Sequence, residues 1–283
     1  MTKLPVAILG ATGAVGQRFI QLLENHPWFE IQEVVASERS ASKTYAEAVN
    51  WVLDGSPPKQ VAQLVVKALE DELSSPLVFS ALPSDVAREV ELRLASAGHI
   101  VCSNASAHRM APDVPLVIPE VNAEHIELID IQRKKRGWTS GALITNSNCT
   151  SMPVTMALAP LLIFEPTHLN VVSMQAISGA GYPGVPSYDI LDNVIPFIKG
   201  EEEKLVTEPA KMLGKLVGDA VLPLPLIASA ACNRVPVVDG HLVNIAVTLA
   251  KRPSLDEIKA VWQNYTGSSI VRQLPSAPKH PVI

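Results

Sequence analysis

The first half of the chain alternates short apolar runs with amphipathic stretches. Val6–Leu9, Glu33–Ala36, Leu77–Ser80, Ile100–Cys102 and Ala142–Thr145 are too short for helices and rich in branched residues, so they read as buried strands. Between them, Val15–Asn25 and Ser84–Ala97 carry helical periodicity. Alternation of this kind predicts a parallel sheet with helices on both faces. After Asn148 the pattern changes. A helix is predicted over Ser151–Phe164, followed by longer strand-like runs at Asn170–Ile177 and His241–Ala250. A Gly/Pro-rich loop and a charged helix from about Glu201 separate those runs, and a further helix follows at Leu255–Tyr265. The expectation is an α/β domain over residues 1–148 and an α+β domain over residues 149–283.

Composition narrows this picture. The 283 residues are 47% hydrophobic and 18% charged, as in a globular protein large enough for two cores. A net charge of −5 argues against nucleic acid or a membrane surface as partner. The longest apolar run, Met152 to Phe164, is too short to span a bilayer and contains Pro153 and Pro160. Small anionic substrates stay open, because a site can be locally basic on an acidic protein. Three cysteines without CxxC spacing exclude a disulfide framework and fit a reducing cytoplasm. No metal-ligand motif is present in the sequence, and no metal is expected.

The stretch "VAILGATGAVGQRF" resembles the apolar core of a signal peptide, but Gly10, Gly13 and Gly16 interrupt it. Placed after the first strand and running into the first helix, these glycines permit a tight turn and close approach of a pyrophosphate to the helix N-terminus. The first domain is therefore expected to be a Rossmann-type doubly wound sheet that binds a dinucleotide. The second strand ends in "VVASERSASK", with Ser37 at the tip and Arg39 and Ser40 following. A guanidinium and hydroxyls suit a 2′-phosphate, whereas an acid at the tip would select NAD, so NADP is expected; Glu38 is the contrary acid.

Cys149 lies in "TNSNCTSMPVTMALAPLL", between a strand and a helix whose first turn holds Pro153. Two readings stand. A free cysteine often behaves as a small buried hydrophobe. At the mouth of a helix it is instead favoured as a thiolate nucleophile. Cys102 and Cys232 lack that setting. A thiolate beside a redox cofactor suggests hydride transfer through a thiohemiacetal and an enzyme-bound thioester.

Several motifs then occur in one order: "GATGAVGQRF", "SNAS" (Ser103–Ser106), "RM" followed by "VPLVIPEVN", "SNCTSMP", "MQAISGAGYPG", "GEEEK" and "NRVPVVDGHL". Together they resemble the aspartate-semialdehyde dehydrogenase family, and "IPEVN" and "GEEEK" resemble its archaeal and fungal branch. The resemblance implies NADPH-dependent reduction of L-4-aspartyl phosphate to L-aspartate 4-semialdehyde, with release of phosphate, in the pathway to lysine, methionine and threonine. It implies Cys149 as nucleophile, His241 as general acid–base and Gln175 as the residue that orients the reacting group. Arg234 would grip the substrate carboxylate and Glu201 its amino group, with Glu202 as the alternative. Lys204 and Arg109 would bind phosphate, and Asn104 would join the substrate set. Gly10, Thr12, Gly13, Ala14, Val15, Ser37, Arg39, Ser40, Ser80, Leu82 and Pro83 would line the NADP site, with Ser178 and Gly179 at the nicotinamide.

The resemblance also implies a homo-oligomer, dimer or tetramer. Members of the family run some tens of residues further, so a C-terminally shortened second domain with an exposed apolar edge is expected. Two other readings remain at this point: a malonyl- or succinyl-CoA reductase of the same plan, and an inactive cofactor-binding subunit.

Overall fold

The computed structural model describes residues 2–282, which split into two compact units. The first comprises residues 2–115 and 127–146. The second comprises 116–126 and 147–282. The short segment Leu116–Ile126 thus belongs to the second unit, where Leu116 and Ile118 bury against Met212.

Among the described residues, the first unit is built on five parallel strands: β1 (Leu4–Leu9), β2 (Phe29–Val35), β3 (Leu77–Ser80), β4 (Ile100–Ser103) and β5 (Ala142–Thr145). Their order is β2-β1-β3-β4-β5. Helices α1 (Ala14–Leu23), α2 (Ser84–Ser96) and α3 (Leu128–Arg136) connect them. β1 is fully buried from Val6 to Leu9 because it is covered on both faces, which explains its unbroken apolar run. β2 starts four residues before the predicted Glu33. Its first half alternates between partly and fully exposed positions, so only its buried end gave an apolar signal.

The strand order reverses between β1 and β3, the place where open α/β sheets form a crevice at their carboxyl ends. The Ala81 N–H donates to the Leu9 carbonyl (3.0 Å) and the Ala11 N–H to the Val35 carbonyl (3.0 Å), tying the loops after β1, β2 and β3 together. Gly10 has φ +69°, and a Cβ there would lie 2.7 Å from the Ala81 oxygen.

In the second unit, α4 (Ser151–Leu158) ends sooner than the sequence predicts. Pro160 has no N–H to continue it, and the chain tightens into a 3₁₀ turn over Ala159–Phe164. Strands β6 (Pro166–Gln175), β7 (Ile195–Pro196), β8 (Ile227–Arg234) and β9 (Leu242–Leu249) form a mixed sheet in the order β9-β6-β8-β7. β6 and β8 are parallel, and β9 runs antiparallel to β6. Helix α5 (Glu201–Met212) adds Leu205 to the core of Val154, Leu158, Leu169 and Val171. Helix α6 (Leu255–Gln263) starts at a Ser254–Glu257 capping box. β6 stops at Gln175 rather than Ile177, because the Ala176 and Ile177 N–H groups leave the ladder for His241 Nδ1 and the Val237 carbonyl. Among the described residues, no helix is long and apolar enough to cross a membrane.

The tightest packing at the first loop is at Gly16, where a Cβ would lie 2.2 Å from the Gly10 oxygen. Gly16→Ala is predicted to destabilise the first unit by about 1–3 kcal/mol, as overpacking does. A thermal denaturation curve checks this, and an unchanged midpoint refutes the close helix–loop contact.

Candidate active site

The register of the second sheet assembles one cluster. Gln175 and Arg234 are direct partners at the carboxyl ends of parallel β6 and β8, and both are buried. β9 begins at Leu242 opposite Met174, so His241, one residue earlier, lies beside the end of β6. Cys149 immediately precedes Thr150, the N-cap of α4, and its side chain is exposed. The reading of Cys149 as a small buried side chain therefore fails on its surroundings.

The Cys149 sulfur lies 3.2 Å from His241 Nε2. His241 Nδ1 accepts the Ala176 N–H at 3.1 Å, which places the proton of the neutral ring on Nε2, facing the sulfur. Burial, and then the Arg234 guanidinium, hold the His241 pKa below the ordinary imidazole range, against an opposing pull from Glu201. Arg234 Nη1 donates to the Ala176 carbonyl at 2.7 Å. The same short segment thus fixes both side chains. Gly179 lies against them as well. A Cβ there would come 2.9 Å from Arg234 Nη1 and 3.1 Å from His241 Cε1. Ser178 and Gly179 sit on the exposed 3₁₀ turn Ile177–Ala180.

Helix α5 supplies the acids. Glu201 Oε1 accepts from Lys204 Nζ at 2.7 Å, and Oε2 accepts from Asn148 Nδ2 at 2.9 Å and, more loosely, from Gln175 Nε2 at 3.5 Å. Burial alone would raise the Glu201 pKa, but Lys204 and the two amides outweigh it and hold the carboxyl below its usual value. Glu202 faces elsewhere and accepts the Cys232 N–H at 3.1 Å. Of the two alternatives, Glu201 is the acid in the cluster.

Two residues that the sequence reading did not single out belong here. Asn148 caps the turn: its Oδ1 accepts the N–H groups of Thr150 (2.8 Å) and Ser151 (3.2 Å). Glu208, almost fully buried, accepts the Asn148 N–H at 2.7 Å. An asparagine before a helix is a readable capping signal, and Glu208 is seven residues past Glu201, on the same helix face.

The first unit gathers the predicted dinucleotide residues at its sheet's switch point. Gly10, Thr12, Gly13, Ala14 and Val15 form the loop and first turn of α1. Gly13, as N-cap, has no side chain to cap the helix, and no acid stands in that first turn, so the N-terminal amides suit a phosphate. Ser37, Arg39 and Ser40 follow β2, in a turn where the Ser40 N–H donates to the Ser37 carbonyl at 2.9 Å. Ser80 ends β3, and Leu82 and Pro83 lead into α2. The residues present fit a dinucleotide. In the same unit Arg109 Nη2 donates to the Asn104 carbonyl at 2.7 Å, and Asn104 Oδ1 accepts from Asn146 Nδ2 at 2.8 Å. Cys102, inside the sheet, is pushed up to about 11 by burial, the opposite of a nucleophile's requirement.

Residues 5–129 match the family described as semialdehyde dehydrogenase, NAD binding domain, and residues 158–281 match semialdehyde dehydrogenase, dimerisation domain. The chain is 48% identical to an aspartate-semialdehyde dehydrogenase of Archaeoglobus fulgidus, over 99% of this chain and 81% of that one. It is 47% identical to an aspartate-semialdehyde dehydrogenase of Schizosaccharomyces pombe, over 98% and 80%. The crystal structure of the Candida albicans aspartate-semialdehyde dehydrogenase with NADP matches with a TM-score of 0.90 at 38% identity, covering 99% of this chain and 81% of that chain. By sequence over nearly its whole length and by fold, the chain belongs to the aspartate-semialdehyde dehydrogenase family.

Proposed function

We propose that the chain reduces L-4-aspartyl phosphate to L-aspartate 4-semialdehyde with NADPH, through a thioester on Cys149. The observation that carries this reading is the Cys149–His241 contact at 3.2 Å, beside the buried set Arg234, Gln175 and Glu201. The Cys149 thiolate attacks the acyl carbon. A C–S bond forms, the C–O bond to phosphate breaks, and phosphate leaves with the electron pair. Bound NADPH supplies the hydride that reduces the thioester. The thiohemiacetal then loses its C–S bond, releasing the aldehyde and restoring the thiolate. His241 Nε2–H faces the sulfur, where it can donate a hydrogen bond to the thiolate and to the negatively charged thiohemiacetal oxygen, which then re-forms the carbonyl as the C–S bond breaks.

Arg234 would hold the substrate carboxylate in a bidentate fork, and Glu201 the ammonium group. Gln175 would orient the acyl oxygen. Lys204 and Arg109 would bind phosphate, with Asn104 placing Arg109 through its carbonyl. The Lys204–Glu201 pair must open so that each takes the opposite charge on the substrate. The loop from Gly10 to Val15 would hold the pyrophosphate, Ser37, Arg39 and Ser40 the 2′-phosphate, and Ser80, Leu82 and Pro83 the adjoining wall. Ser178 and Gly179 would meet the nicotinamide. Malonyl- and succinyl-CoA carry a carboxylate but no amine and no acyl phosphate, so Glu201, Lys204 and Arg109 would have no substrate group to bind, and no observation favours the CoA-reductase reading. We place the enzyme in the cytoplasm, in keeping with its free thiols.

The second sheet suggests how copies assemble. Along β6, Leu169, Val171, Ser173 and Gln175 are buried, whereas His168, Asn170, Val172 and Met174 are exposed. Exposed Leu242 on β9 pairs with Met174, extending an open, partly apolar face. We infer a homo-oligomer that covers this face. Sedimentation velocity is expected to show a species of at least two chains, which Val172→Asp with Met174→Asp converts to monomer. A parent chain that sediments as a monomer refutes the inference.

The reaction itself is read as NADPH formed from L-aspartate 4-semialdehyde and NADP, with and without inorganic phosphate. The rate is expected to require phosphate and to fall about a thousandfold or more in Cys149→Ala. In the same assay Arg234→Lys, which loses the bidentate fork, should raise KM about tenfold or more. A phosphate-independent rate sinks the phosphorylating reaction, and a rate that survives Cys149→Ala sinks the thioester mechanism.

Because His241 is held below the ordinary range, it stays neutral down to a lower pH than a free imidazole. Protonation would set a second N–H against the Ala176 amide, so activity should be lost as pH falls through that lowered value. The acid limb of kcat/KM is therefore expected below about pH 6.5, and His241→Asn should remove it. An inflexion above that pH that disappears in His241→Asn would contradict the assigned environment.

A further inference from the structure

Helix α5 presents two carboxylates, Glu201 and Glu208, to one residue. Glu201 takes the Asn148 side-chain amide (2.9 Å), and Glu208 takes the Asn148 main-chain N–H (2.7 Å). Only Glu201 has a substrate role in the reading above. Glu208 is more deeply buried, at 1% exposure against 9%. Its hydrogen bond is made to the main chain, at the residue joined directly to Cys149. On the other side of Cys149, the Thr150 N–H is held by Asn148 Oδ1. The backbone is thus pinned both before and after the nucleophile, and the pin before it is Glu208.

We propose that Glu208 is a positioning residue for the nucleophile: by accepting the Asn148 N–H, it fixes the turn that delivers the Cys149 sulfur to His241 Nε2 at the mouth of α4. The proposal rests on the functional reading above and adds a residue that never touches the substrate. What matters in it is the reach of the acceptor oxygen, not the charge. Other charged groups lie on the same and neighbouring elements: Lys204 and Lys211 on α5, His241 ahead of β9 and Arg234 on β8. A role in their charge balance is the rival explanation.

Two variants separate these roles. Glu208→Gln keeps an oxygen at the same reach and removes the charge. Glu208→Asp keeps the charge and withdraws the oxygen by one methylene. Each is measured in the whole chain for kcat and KM with L-aspartate 4-semialdehyde, NADP and phosphate. The rate of iodoacetamide alkylation at Cys149 is read at neutral pH by mass spectrometry of the Cys149 peptide, and thermal midpoints establish folding.

Glu208→Gln is expected within about threefold of the parent in kcat and alkylation rate. Glu208→Asp should lose about tenfold or more in both, with KM within about threefold, because a displaced sulfur forfeits its hydrogen bond and helix terminus. The reverse order, or an Asp variant equal to the parent, overturns the proposal. Should Glu208→Asp fail to fold, Glu208→Gln decides alone: retention within threefold upholds the proposal and a tenfold loss overturns it. Alkylation needs no turnover, so a parent chain without dehydrogenase activity would defeat the functional reading and leave this test intact.

Discussion

The turn before Cys149 is held by hydrogen bonds that engage every polar group of Asn148. Its N–H donates to Glu208 and its side-chain amide to Glu201, its side-chain oxygen accepts the Thr150 and Ser151 N–H groups, and its carbonyl accepts the Met152 N–H. Satisfaction is what allows such a polar residue to be buried at all. An orphaned donor there would cost about 1–3 kcal/mol, and bonds to a carboxylate are worth more than neutral ones. Cys149 is therefore the exposed neighbour of a buried Asn148 whose polar groups are all engaged. Its sulfur can be accessible without being mobile.

Electrostatics around that sulfur follow from the same packing. Arg234 is anchored to the Ala176 carbonyl and His241 to the Ala176 N–H, so one peptide segment sets the distance between a permanent cation and a titratable ring. Burial, and then the guanidinium, lower the pKa of the ring and favour its neutral form. Glu201, held ionised by Lys204, offers the opposite charge. An amino-acid substrate carries both signs, and the second unit provides both within one strand end and one helix start.

Much of this was legible in the chain. The buried strands Leu77–Ser80 and Ala142–Thr145 stand where their apolar runs place them, because a strand covered on both faces has an uninterrupted signal. The glycine loop was readable because only glycine tolerates Gly10's backbone and the contact at Gly16. The apolar signal of β2 covers only its buried end, because its exposed half has no apolar run, and that of the helix from Ser151 continues past Pro160 although the helix ends at Leu158. Cys149 stands out by its place ahead of a helix, whereas the other candidate site residues follow only from the family resemblance of the motifs.

Sequence alone could not rank Glu201 against Glu202, since neighbouring acids on a helix differ only in the direction they face. The packing of α5 on β8 turned Glu202 to the Cys232 amide and Glu201 to Asn148. Glu208 was hidden for a related reason: its partner is a main-chain N–H sixty positions earlier, and backbone amides have no signature in composition. The chain by itself determined the alternation of elements, the phosphate loop, and the thiol at a helix mouth, because these depend on local sterics and periodicity. Only the tertiary structure decided which nitrogen of His241 faces the sulfur and which acid holds the turn, because those depend on contacts between residues far apart in sequence.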